Sequence, residues 1–110
     1  MEERRTSDSK WSDWLAILPK DWSDQAIFYT EEELLLLEGS QFATYIRNFR
    51  KELEADYNFI SRNIPDFSSQ YSLQEFLETY KSVQSRLLGL FDENRFIFDV
   101  MVPMADFFNH

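Results

Sequence analysis

Ser40-Gln-Phe-Ala-Thr-Tyr45-Ile-Arg-Asn-Phe49-Arg-Lys-Glu-Leu53-Glu-Ala-Asp-Tyr57-Asn-Phe-Ile60-Ser-Arg-Asn63 decides the fold class. Phe42, Tyr45, Ile46, Phe49, Leu53, Tyr57 and Ile60 recur every three or four residues, which gathers them on one side of a helix. Arg47, Arg50, Lys51, Glu52, Glu54 and Asp56 fall largely on the other side. Pro65 closes the run, because the ring of a proline pushes the preceding residue out of helical backbone. The spacing predicts a long amphipathic helix over about 40–63.

Upstream, Thr30 followed by Glu33 fits a capping box, in which hydroxyl and carboxylate each satisfy an orphan backbone N–H. Glu31-Glu-Glu33 also complements the positive end of the helix that begins there. Leu34 to Leu37 form its body, and Gly39 is placed to end it in left-handed backbone. This run is apolar on nearly all sides, so burial within a larger structure is expected. Further upstream, Trp11, Trp14, Leu15 and Leu18 line one face of a short helix stopped by Pro19, and 19–29 read as an irregular link.

Downstream, Asp66 to Gln70 read as a loop, and Ser72 with Glu75 forms a second capping box. Phe76, Leu77, Tyr80, Val83, Leu87 and Leu88 make the stripe of a third strong helix, with Gly89 as its stop. The period then changes. After the turn-like Asp92-Glu-Asn94, the segment Arg95 to Val102 alternates Phe96, Phe98, Val100 and Val102 on one face of a strand ended by Pro103. A lone strand has unpaired edges, so the chain is expected to be incomplete or to pair with another molecule.

Composition narrows the chemistry. The 110 residues are 44% hydrophobic and 17% aromatic, enough to build a core. A net charge of −9 repels phosphate backbones, so nucleic acid is not an expected partner. No run approaches the length of a membrane span, and the polar Met1–Lys10 lacks a signal-peptide core, so an intracellular protein is expected. There is no Cys, and the one His is His110, which removes thiol chemistry, Cys-ligated zinc and an internal Ser-His-Asp triad.

Three pieces in order carry a resemblance. Trp14-Leu-Ala-Ile-Leu-Pro19 is followed by Phe28-Tyr-Thr-Glu-Glu-Glu-Leu34 and Glu38-Gly-Ser40; next comes Ser72 to Arg86, ending in Ser-Arg; last is Val102-Pro-Met-Ala-Asp106-Phe-Phe-Asn109-His110. Together they resemble SET-domain protein-lysine methyltransferases of the Rubisco large-subunit methyltransferase type. The likeness covers roughly Ser12 to His110.

The resemblance implies a mainly α fold: a helical SET-insert lobe of three main helices, a short N-terminal helix, and a C-terminal β segment belonging to a SET core. It divides the chain into a flexible lead over 1–10, the helical insert over 11–90, and the start of the second SET half over 91–110. It implies S-adenosylmethionine as cofactor of the intact parent, with Arg86, Asn109 and His110 as cofactor-binding candidates. Ser85 and Asp106 are implied near the substrate lysine. The family's tyrosine has no counterpart among the 110 residues, so none of them is expected to be catalytic, and the chain alone is expected to be inactive. Expected partners are a protein substrate bearing a target lysine and the remaining SET segments or a partner chain. A non-catalytic helical interaction subunit derived from such a protein is the alternative.

Read from the residues alone, Asp106 is equally an N-cap and Arg86 a cation at a helix C-terminus. Ser85 is equally an exposed helical serine, and Asn109 and His110 polar residues at a chain end.

Overall fold

A computed structural model of the protein describes residues 1–2, 5–6, 8–93, 95–103 and 105. Among them lie five α-helices: α1 (Ser12–Ile17), α2 (Glu31–Leu35), α3 (Gln41–Asn63), α4 (Phe67–Gln70) and α5 (Leu73–Gln84). A 3-10 turn spans Ala26–Phe28, and β1 (Leu87–Asp92) pairs antiparallel with β2 (Arg95–Met101). The fold is mainly α with a C-terminal β segment, as the residue pattern predicts. The chain divides into two compact units, Pro19–Glu78 and Met1–Leu18 with Thr79–His110.

In the Pro19–Glu78 unit, local chemistry sets the element ends. The Thr30 backbone N–H donates to Glu33 Oε2 at 2.7 Å, and the Glu33 N–H donates to Thr30 Oγ1 at 3.2 Å. The backbone bond, then the hydroxyl bond, from Thr30 holds the Glu33 carboxyl below its ordinary pKa. Ser72 and Glu75 make the same reciprocal pair at 3.0 and 3.2 Å. Gly39 takes φ +89°, the left-handed backbone a side chain would strain. Ile64 is extended before Pro65, where α3 ends.

The core of this unit is built from Trp22, Ile27, Leu34, Ala43, Ile46 and Leu53. Leu34 is wholly buried, which contributes about 1.5–3 kcal/mol. Arg50 ties α3 to the 3-10 turn: its Nε donates to the Ile27 carbonyl at 2.8 Å, and its Nη2 donates to the carbonyls of Ala26 and Tyr29. Arg47 binds Glu31 at 3.1 Å and Glu38 at 3.2 Å, joining α2 and its exit to α3. At the far end, the Tyr57 ring packs on Phe67 and Phe76 at 5.8 and 5.7 Å, and its hydroxyl donates to the Tyr71 carbonyl at 2.8 Å.

Several expectations change. Within these 110 residues the Leu34–Leu37 run is buried only at Leu34: α2 ends at Leu35, Leu35 is 59% exposed and Leu36 86%. A helix this short can turn only one side to α3. The core face of α3 is also rotated relative to the expected stripe, toward Ala43, Ile46 and Leu53, leaving Phe42 47% and Tyr45 59% exposed. The loop after Pro65 contains a turn of helix, α4, entered through left-handed Asp66.

In the other unit, α1 stops where Leu18 turns extended before Pro19. The predicted third helix stops short of its stripe: α5 ends at Gln84, and Leu87-Leu-Gly-Leu-Phe91 lies in a strand. The strand Arg95–Met101 therefore has its partner within the chain. Gly89 is not a helix stop but a strand residue, where a Cβ would stand 3.0 Å from the Phe91 ring. Cross-strand pairing of β-formers has overridden helical spacing here. The turn carries Glu93 at φ 45°.

Candidate functional site

The hairpin register places Ser85-Arg86 and Val102-Pro103 at one end of the sheet. Leu87 pairs with Met101, the last rung before the strands part. Ser85-Arg86 precedes one member of that rung, and Val102-Pro103 follows the other. The end of the second resembling segment and the first two residues of the third therefore lie at the open end of the hairpin. A bulge between Leu90 and Phe91 makes this register possible: Leu90 faces Phe98 while Phe91 faces Phe96, so Ile97 is the extra residue.

At that end the helix is finished by its own side chains. The Ser85 N–H donates to the Lys81 carbonyl at 3.0 Å and the Arg86 N–H to that of Val83 at 3.0 Å. Ser85 Oγ donates to the Ser82 carbonyl at 3.2 Å and accepts from Arg86 Nη1 at 2.8 Å. Ser85 is exposed and Arg86 partly buried. The structure thus joins Ser85 and Arg86 in one hydrogen-bonded pair. On the opposite strand, the Ala105 N–H donates to the Val102 carbonyl at 2.9 Å, turning the chain as it enters the third segment. Asp106, Asn109 and His110 lie outside the described residues.

Two features of this unit were not singled out in the sequence. Ser82 is 3% exposed, and its hydroxyl has no hydrogen-bond partner among the described residues. A small residue inside the apolar stripe of α5 was its only signal. A recess of about 260 Å³ is lined by Trp11, Trp14, Leu15, Met101 and Pro103. It opens beside the same segment, and Trp11 and Trp14 meet edge to face in it at 6.3 Å. Its α1 residues were legible as an apolar face, but contact with Met101 and Pro103 was not.

The Pro19–Glu78 unit has its own cleft of about 290 Å³, lined by Lys20, Asp21, Trp22, Ser23, Phe28, Gln74 and Glu78. Asp21 accepts from the Ser23 N–H at 2.9 Å, which lowers its pKa. Glu78 accepts from Gln74 at 2.9 Å. These groups are engaged with one another rather than arranged as nucleophile and base. Among the described residues no group of three His, Cys, Asp or Glu could hold a metal ion, and no helix is long and apolar enough to cross a membrane.

The comparisons with known proteins extend along the whole chain. Over all of its length the chain is 32% identical to the Rubisco large-subunit N-methyltransferase of Pisum sativum, and 29% identical to the fructose-bisphosphate aldolase-lysine N-methyltransferase of Arabidopsis thaliana. Over 98% of its length it is 31% identical to the N-lysine methyltransferase setd6 of Xenopus laevis. The class these relatives define is that of protein-lysine N-methyltransferases. The chain is homologous to part of proteins of the Rubisco large-subunit methyltransferase type. It spans about a quarter of the length of the curated relatives it matches. No family model matches the chain, and no solved structure matches it.

Proposed function

We infer that these 110 residues form part of an S-adenosylmethionine-dependent protein-lysine N-methyltransferase: the helical insert and the start of the second SET half. The observation that carries the reading is the likeness to lysine methyltransferases along the whole chain, with the Ser-Arg and Pro-x-x-Asp-x-x-Asn-His segments in order. In this reading Arg86, Asn109 and His110 form one wall of the cofactor site, and Ser85 and Asp106 face the substrate lysine.

The chemistry of the residues supports those roles. S-adenosylmethionine supplies an electrophilic methyl on a sulfonium. A lysine amine attacks it only when neutral and aligned, so positioning and proton removal are what the protein must provide. Ser85 Oγ is held by two hydrogen bonds at the end of α5, which suits an orienting acceptor. A guanidinium such as that of Arg86 is a natural partner for a carboxylate, the one anionic group of the cofactor. One wall is not a pocket, so the 110 residues alone are proposed to be inactive. The setting proposed for it is intracellular.

Calorimetric titration of the 110-residue chain with S-adenosylhomocysteine tests the second part. The expected result is no micromolar binding and no methyl transfer to protein lysine. Micromolar binding or turnover would overturn it. The alternative, a non-catalytic interaction subunit, draws on the exposure of Phe91, Phe96, Ile97 and Phe98, each more than half exposed on the hairpin. Recovery of the natural polypeptide at this length in a stable complex, without cofactor affinity, would favour it.

A further inference from the structure

Helix α3 carries two neighbouring stripes at three- and four-residue spacing. Ala43, Ile46, Arg50, Leu53 and Tyr57 serve the interior: Ala43, Ile46 and Leu53 are no more than 5% exposed, and Arg50 grips the 3-10 turn. One residue round the helix lie Phe42, Tyr45, Phe49, Glu52, Asp56 and Phe59. This second stripe spans about 26 Å at 1.5 Å per residue. Phe42, Tyr45 and Phe59 are 47%, 59% and 68% exposed, and both carboxylates are exposed. Tyr45 and Phe49 stack at 5.9 Å with planes 9° apart, making a flat aromatic ridge.

The centre of this stripe is chemically odd. Glu52 and Asp56 stand one turn apart, a like-charge spacing that disfavours a helix by a few tenths of a kcal/mol. Neither has an ion pair or hydrogen bond among the described residues. No Lys or Arg of α3 lies on this flank; Arg47, Lys51 and Arg62 fall on the other side of the helix, and Arg47 is committed to Glu31 and Glu38. Residues 19–78 as a whole carry twelve Asp or Glu against five Lys or Arg.

We propose that this stripe docks a basic amphipathic helix of a protein partner. Apolar side chains cover Phe42, Tyr45 and Phe59, and two cations one turn apart neutralise Glu52 and Asp56. A second copy of the chain is a poor occupant. Antiparallel pairing of the stripe with itself sets Glu52 against Phe49 and Asp56 against Tyr45, so it desolvates four carboxylates and neutralises none. An anionic bilayer or nucleic acid is repelled by the same charges. The proposal goes beyond methyl transfer, although in the reading above the protein substrate is the natural source of such a helix.

The test uses the 110-residue chain and a synthetic amphipathic helix with Leu at both ends of its apolar face and two Lys one turn apart between them. Calorimetry at low salt reads Kd. The double variant Glu52→Lys/Asp56→Lys should weaken binding about tenfold or more. The off-stripe pair Glu32→Lys/Glu54→Lys, with the same change in net charge, should weaken it no more than about twofold. Phe59→Ala should also weaken it, with circular dichroism reporting unchanged helix. Equal loss in both charge pairs would overturn the proposal in favour of diffuse attraction. So would failure of the Lys peptide to bind, or a dimer of the chain that Phe59→Ala dissolves. No cofactor enters the measurement, so its failure leaves the methyltransferase reading standing, and the failure of that reading leaves this one.

Discussion

Leu87 stands opposite Met101 in the hairpin ladder, and that rung brings Arg86 and Pro103 to the same end of the sheet. Each belongs to a segment that carries the sequence resemblance. Arg86 and Val102, far apart along the chain, flank the two members of one rung in the fold.

The hairpin should be the weaker structure, since a two-stranded sheet is marginal by itself. Phe91 and Phe96 meet edge to face at 5.8 Å beside the bulge. Phe96→Ala should lower the free energy of hairpin opening by about 0.5–1.5 kcal/mol. Hydrogen exchange should then quicken by about two- to tenfold at the β1 and β2 amides, while the α3 amides keep their rates.

Arg50 should be irreplaceable by lysine. Three carbonyls from Ala26, Ile27 and Tyr29 converge on its planar fork, and one ammonium cannot serve them with that geometry. Arg50→Lys should cost about 1–3 kcal/mol, read as a drop in thermal midpoint. An unchanged midpoint would show that the clamp adds nothing.

Leu34 and Leu36 lie on the same short run and should behave oppositely. Leu34→Ala should cost about 2–5 kcal/mol, because the residue is wholly buried. Leu36→Ala, at a residue 86% exposed, should change stability by no more than about 0.5 kcal/mol. Chemical denaturation of the two variants measures the difference.

Acid should loosen the start of α2. Thr30 holds the Glu33 carboxyl below its ordinary value of 4.5, so the unfolded chain takes up this proton at a higher pH than the folded one. The stability it supplies is full above 4.5 and is lost as pH falls through the lowered folded value. Glu33→Gln keeps an acceptor for the Thr30 N–H but cannot titrate. Denaturation midpoints between neutral pH and acid should therefore fall less steeply in that variant.

What was legible in the residues was mostly local. Thr30 with Glu33, Ser72 with Glu75, Gly39 and Pro19 act within a turn of themselves, and the structure holds each as the sequence predicts. Phe42 and Tyr45 misled because α3 is apolar on two adjoining stripes, and only packing chooses which one is covered. Leu87 to Gly89 misled because helical spacing ran on past Gln84, and the strand partner that overrides it lies some ten residues later. Of the site candidates, Ser85 and Arg86 are joined by a hydrogen bond, whereas their residue types alone could not distinguish a pair from two separate groups. Ser82 and the Met101–Pro103 side of the Trp recess depend on tertiary contact and left little trace in the spacing.

The central claim is that these residues build one wall of a lysine methyltransferase site. It is tested most directly by expressing them with whatever coding sequence flanks them in the gene and measuring S-adenosylmethionine affinity and methyl transfer to protein lysine. Transfer should occur, and Asn109→Ala should weaken cofactor binding about tenfold or more. A flanked polypeptide that binds the cofactor equally well after Asn109→Ala and Arg86→Ala, or that transfers no methyl group, would contradict the account.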